Sequence, residues 1–137
     1  MHLPDLIPVG ISTSKSLVVT PELTVAHHVP TLPPVYATPN MIWFMEVVAT
    51  GLVAPLLPEG WVSVGAAVNV KHLAATPVGF TITVTAKVAE VSKSLITFEL
   101  EAHDGVELAG KGTHTRAPIE LKRFLTGVER KAQSFGG

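Results

Sequence analysis

The chain contains no cysteine. That absence removes both a disulfide framework and a thiolate nucleophile, so any catalysis falls to oxygen or imidazole chemistry. Charge is also sparse: ten Lys plus Arg stand against eleven Asp plus Glu, for a formal net charge of -1. No basic block or aromatic-studded basic strip is present, which argues against nucleic acid as the main partner. There is no His-Glu-x-x-His run, no Gly-x-Gly-x-x-Gly, no Gly-x-x-x-x-Gly-Lys followed by Ser or Thr, and no Gly-x-Ser-x-Gly. Metal hydrolysis, dinucleotide redox chemistry, phosphate-loop chemistry and the α/β-hydrolase mechanism all lose their usual sequence support. No apolar run reaches the roughly 18 to 20 residues that span a bilayer, and the N-terminus lacks the basic-then-apolar order of a secretory signal. The expectation is a cytoplasmic protein with no membrane partner.

What is abundant is apolar surface, 47% of 137 residues. This suits one domain over residues 1–137, with a loose lead-in over 1–15 and a frayed tail over 128–137. Ser16–Thr20 and Leu23–Ala26 read as short strands around Pro21. Pro30, Pro33 and Pro34 then stiffen residues 27–34 into an extended connector suited to a pocket lid. Thr38 and Pro39 form an N-cap and first-turn pair for a helix running to about Leu57 and stopped by Pro58-Glu-Gly60. That helix is apolar on nearly every face. Such a surface calls for enclosure by a sheet and a partner subunit, or for a central place in a monomer.

From Trp61 the period changes to two. Thr81, Thr83 and Thr85 alternate with Ile82, Val84 and Ala86, the pattern of a half-buried sheet. Strands are expected at Trp61–Leu73, Gly79–Val91, Leu95–His103 and Val106–Ala117, with hairpin turns at Ser92–Ser94 and Asp104–Gly105. The segment from Ile119 begins helical, and Lys131–Gly137 frays. The order implies an α+β architecture in which a curved antiparallel sheet wraps the long helix and leaves edges for a homodimer.

Glu46 sits in the apolar helix, where an unpartnered carboxylate is costly. It is a candidate to activate water or attack an acyl carbonyl, with Thr38 supplying a hydroxyl or a capped backbone donor. An N-capping threonine and an ion-paired or solvent-facing glutamate would account for the same residues. His72, near a strand end before a proline turn, suits proton exchange near neutral pH or a hydrogen bond to the turn backbone. Gly65 interrupts a β-rich run, as a close approach to a ligand or a bulge would require. His114 and Arg116 suit an anionic carrier or the ends of the sheet. Asp104 reads as a turn residue rather than a metal ligand.

Several motifs converge: Val35-Tyr-Ala-Thr38, Glu46 on a helix, Val64-Gly65, Val70-Lys-His72 with Ala74-Ala-Thr-Pro77, Ala102-His-Asp-Gly105, and Gly112-Thr-His-Thr-Arg116. Together they resemble the fluoroacetyl-CoA thioesterase-like family of the hot-dog-fold superfamily, over roughly Leu17 to Phe124. The resemblance implies a hot-dog fold, a homodimer with active sites near its interface, and hydrolysis of an acyl-CoA thioester without metal or other cofactor. By motif match, Thr38, Glu46 and His72 take the catalytic positions. Gly65 takes the small position beside the acyl carbonyl, and Arg116 a supporting one. Glu46 is then the nucleophile or the base, His72 its proton-transfer partner and Thr38 a hydrogen-bonding organiser. Leu32 stands where the fluoroacetyl-specific pattern has an aromatic lid residue, and Pro39 where it has glycine. General thioester hydrolysis is therefore expected, rather than fluoroacetyl-CoA specificity. A noncatalytic acyl-CoA or metabolite-binding module is the alternative.

Overall fold

The two-residue alternation builds the sheet. In the computed structural model, which describes residues 1–136, the strands are β1 (Ser12–Val18), β2 (Trp61–His72), β3 (Thr81–Val91), β4 (Ile96–His103) and β5 (Leu108–Glu120). They form one antiparallel sheet in the order β1-β3-β4-β5-β2. Ile82, Val84, Ala86 and Val88 of β3 are buried beside Phe98, Leu100 and Ala102 of β4. The register pairs Ala86 with Leu100 and Val84 with Ala102, so both sets share one face. Hydroxyls line the other, where Ser14 and Ser16 bond Thr85 and Thr83 across β1 and β3 at 2.7 and 2.8 Å.

Four short helical segments and two 16-residue helices complete the described residues. The first of the two, α3 (Thr38–Val53), follows α1 (Leu3–Leu6) and α2 (Val25–His28) and lies against the apolar face of the sheet. It buries Met41, Phe44, Met45, Val48, Ala49 and Val53. A 3-10 turn, Ala54–Leu56, extends it, and the chain then reverses through Gly60 at φ 84°. Thr38–Leu56, at 19 residues, is long and apolar enough by composition to cross a membrane. Here its inner residues belong to the hydrophobic core shared with β3 and β4. On its outer side Trp43 and Val47 remain exposed, as do Val62 and Val68 of the edge strand β2.

Local order departs from expectation at both ends. Leu3 and Ile7 are fully buried, so the N-terminal segment is part of the core rather than a loose lead-in, and β1 starts at Ser12. The strand expected at Leu23–Ala26 is replaced by a 3-10 turn, Pro21–Leu23, and by α2. Thr24 explains the change: its hydroxyl donates to the Pro21 carbonyl at 2.7 Å and accepts from the His27 amide at 3.3 Å. Such local bonds compete with a strand ladder. The N-cap of α3 is Ala37, not Thr38, which is the first helical residue with its hydroxyl turned elsewhere. Beyond β5, α4 (Leu121–Gly136) is a single exposed helix, so the tail expected to fray is helical through Gly136. Gly137 lies outside the described residues.

Candidate active site

The segment before α3 is stitched to the turn that follows β2. Val35 bridges Pro77, and the Tyr36 amide donates to the Thr76 carbonyl at 2.8 Å. Thr76 in turn donates its hydroxyl to Asp104 at 2.9 Å, while the other Asp104 oxygen accepts from the Val106 and Glu107 amides. Burial opposes the Asp104 charge, but these donors and His103 hold the carboxyl below its ordinary range. Asp104 is thus the turn residue its sequence suggests.

This scaffold brings Thr38 to His72, with the hydroxyl 2.7 Å from Nδ1. The other ring nitrogen, Nε2, is buried and has no hydrogen-bond partner among the described residues. Burial pushes the imidazole below its ordinary value, against an opposing pull from the Ala74 backbone. A neutral ring therefore faces a cavity of about 270 Å³ lined by Tyr36, Thr38, His72 and Leu73. A hydroxyl and a neutral imidazole in contact can hand a proton to a leaving group or take one from water.

A second cluster forms around Glu46. Its Oε1 stands 3.5 Å from Arg116 Nη1 and 3.6 Å from His114 Nε2, while the side chain keeps 36% of its exposure. Arg116 is held from behind: Nε donates to the Ser63 hydroxyl and Nη2 to the Ser63 carbonyl, both at 2.8 Å. Gly65 lies opposite Arg116 in the β2–β5 ladder, beside a bulge between Gly65 and Ala67. A Cβ at position 65 would stand 2.7 Å from Glu46 Oε1, so the glycine leaves room for this carboxylate. The result is a carboxylate backed by a fixed cation and open on its other side.

Two of the sequence-predicted residues, Thr38 and His72, thus meet in one place, and Glu46, Gly65 and Arg116 in another. Among the described residues no hydrogen bond joins Glu46 to His72; the groups facing Glu46 are His114 and Arg116. The reason is helix geometry, because the eight residues from Thr38 to Glu46 advance roughly 12 Å along the axis. The expected proton-transfer contact does not form within one chain. Leu32, in the proline-rich connector, is 44% exposed and does not line the His72 cavity. His114 is the residue whose importance the sequence understated. Its signal was its two-residue offset from Arg116, which puts both on the inward face of β5.

Comparison with known proteins bears on the family and the fold. The sequence profile of the fluoroacetyl-CoA-specific thioesterase family, FlK, matches residues 19–122. A fluoroacetyl-CoA thioesterase from Streptantibioticus cattleyicolor is 40% identical over 133 residues, spanning 93% of this chain and 96% of the relative. A solved structure of the fluoroacetyl-CoA thioesterase FlK superposes with a TM-score of 0.85 at 40% identity, covering 91% of this chain and 97% of that one. A hot-dog-like protein from Thermanaerovibrio acidaminovorans gives a TM-score of 0.88 at 25% identity, over 93% and 95% of the two chains. With an antiparallel sheet wrapped around a long helix and a match across most of its length, the chain belongs to the fluoroacetyl-CoA-specific thioesterase family and has the hot-dog fold.

Proposed function

We propose that this chain hydrolyses a small acyl-CoA thioester to a carboxylate and free CoA, at a site completed by a second copy of itself. The observation that carries this reading is the Glu46 carboxylate, half-open at Gly65 and backed by an immobilised Arg116. In a family of thioesterases such a carboxylate attacks the acyl carbonyl or takes a proton from the attacking water. Either route breaks the carbon–sulfur bond, places the acyl group on an oxygen and leaves CoA as a thiolate. The proton comes from water. On the base route Glu46 takes it as the water oxygen bonds the acyl carbon, and on the nucleophilic route water opens the acyl–Glu46 anhydride. In both, the Thr38–His72 couple relays that proton to the thiolate. Gly65 gives room beside the acyl carbonyl, Arg116 supports the charge there, and Leu32 belongs to the lid that selects the acyl group.

The two clusters are complementary halves if β2 pairs with its own copy. A 12-residue edge strand is open to such pairing, and exposed Trp43, Val47 and Val68 supply apolar surface near it. Antiparallel pairing about a two-fold axis between Val68 and Asn69 sets Gly65 of one strand across from the last residue of its mate. Glu46 of one protomer then approaches the partner's His72.

The test follows free thiol release from acetyl-, fluoroacetyl-, branched, aromatic and medium-chain acyl-CoA. Turnover of at least one small acyl-CoA is expected, with a loss of about 100-fold or more in Glu46→Gln and His72→Ala at matched folding. Saturable binding with no turnover of any thioester would make the protein a binding module instead.

A further inference from the structure

We infer that His114 is a positioning residue, a neutral imidazole protonated at Nδ1 whose Nε2 accepts a hydrogen bond from Arg116 and so aims the guanidinium at Glu46. It is not a proton-exchange partner of that carboxylate. The functional half of this inference rests on the thioesterase reading; the tautomer rests on geometry alone.

Donor and acceptor chemistry decides the tautomer. His114 Nδ1 is 2.8 Å from the Ala67 carbonyl, which only accepts, so Nδ1 carries a hydrogen. Nε2 is 3.1 Å from Arg116 Nη1, which only donates, so Nε2 presents its lone pair. Protonating Nε2 would turn that acceptor into a donor and set a second cation against the guanidinium. The Glu46 oxygen stands 3.6 Å from Nε2 and 3.5 Å from Arg116 Nη1, both ion-pair rather than hydrogen-bond distances. The hydrogen bond within the trio is the one from Arg116 to the ring, and the guanidinium it holds is the permanent charge facing the carboxylate.

The surroundings keep the ring in this state. Its side chain has no solvent exposure and stacks on Phe98, with centroids 6.1 Å apart. The charged groups facing it are Glu46 of α3 and Arg116 of β5; β2 offers the Ala67 carbonyl and β4 the Phe98 ring. Burial pushes the imidazole below its ordinary value and Arg116 adds to this, while the Ala67 bond and Glu46 oppose it. His114 thus supplies the third fixed point of a guanidinium whose other two are Ser63 Oγ and the Ser63 carbonyl. With three anchors the guanidinium plane cannot swing away from Glu46.

Long-range nitrogen-15 NMR of the histidine rings in the wild-type protein reads the tautomer directly. The expected spectrum at pH 8 shows His114 neutral with hydrogen on Nδ1, and on acidification the ring stays neutral to lower pH than an exposed histidine. An Nε2–H ring, or a His114 titration that tracks the pH profile of kcat, overturns the inference. Two variants test the functional half. His114→Leu fills the space without polar atoms and should lower kcat by about tenfold or more with little change in KM, since it frees the guanidinium. His114→Gln restores one donor and one acceptor and should recover most of that loss with the wild-type pH profile. A His114→Leu enzyme as active as wild type, or a His114→Gln enzyme as impaired as a folded His114→Leu, refutes the positioning role. Should His114→Leu fail to fold, His114→Gln decides: retained kcat with the wild-type pH profile supports positioning, and loss of the acidic or basic limb refutes it. A wild-type protein inert toward every acyl-CoA would sink the thioesterase reading while the NMR result still judged the tautomer.

Discussion

At the scale of single residues, the missing methyl group at position 65 controls where Glu46 can rest. Its nearest obstruction would be Glu46 Oε1 at 2.7 Å, the far end of a flexible side chain, so the fold can absorb an added Cβ by displacing the carboxylate. Gly65→Ala should therefore lower kcat/KM by at least about tenfold while changing stability by less than about 1 kcal/mol. Steady-state kinetics and a denaturant midpoint on the same preparation separate the two; a large stability loss with proportionate activity would contradict the assignment. The two buried histidines make a second residue-scale prediction. Burial pushes His72 and His114 below the ordinary value of 6.5, so on acidification the unfolded chain takes up their protons first. Stability present above pH 6.5 should then fall as the pH drops toward the folded-state values. Urea midpoints at pH 7.5 and 5.5 check this, and a midpoint that holds or rises on acidification would refute it. Of these contacts the sequence disclosed only the residue types. Glu46, Gly65 and Arg116 stood out because a lone carboxylate, a strand glycine and a cation each break a local pattern. Their contact depends on how β2 and β5 register, which no local pattern encodes.

Elements were legible where several local signals agreed. The long helix has proline near its start, unbroken apolar character and a proline-glycine stop, and α3 with its 3-10 extension ends within a residue of that reading. The alternating threonines of β3 and the Asp-Gly turn likewise gave strands close to those observed. Thr38 misled because threonine before proline is a good cap, whereas tertiary contact with His72 claimed its hydroxyl. The N-terminal segment misled for a different reason: Leu3, Leu6 and Ile7 have helical spacing, but the run is one four-residue turn broken by Pro8 and Gly10, too short to read as an element, yet Leu3 and Ile7 are buried in the core cluster. Leu3→Ala should accordingly cost about 2 to 4 kcal/mol, as deletion of a fully buried leucine side chain does. Urea unfolding measures it, and a cost below about 0.5 kcal/mol would return the segment to the status of a loose lead-in.

For the whole molecule, what matters is that one chain presents two incomplete constellations. Helix α3 carries Thr38 near its start and Glu46 two turns later, and its rise keeps them roughly 12 Å apart along the axis. Folding alone joins Thr38 to His72 and Glu46 to Arg116, and the proposed pairing of β2 edges joins the two sets. The hot-dog architecture was legible because motifs and element order pointed the same way. The proposed division of the site was legible only in part: eight positions leave Thr38 and Glu46 about 80° apart around the helix, so their convergence called for a bend or a contribution from a partner, without saying which. A complementation experiment tests the division most directly. Glu46→Gln and His72→Ala chains, each inactive alone, are unfolded together, refolded as a mixture and assayed for thiol release from the best acyl-CoA. If each site takes Glu46 from one protomer and His72 from the other, random assortment makes half the dimers mixed, each with one intact site, and restores about one quarter of wild-type activity. If both residues act within a single chain, no mixed dimer contains an intact site, and the mixture will be as inactive as its components.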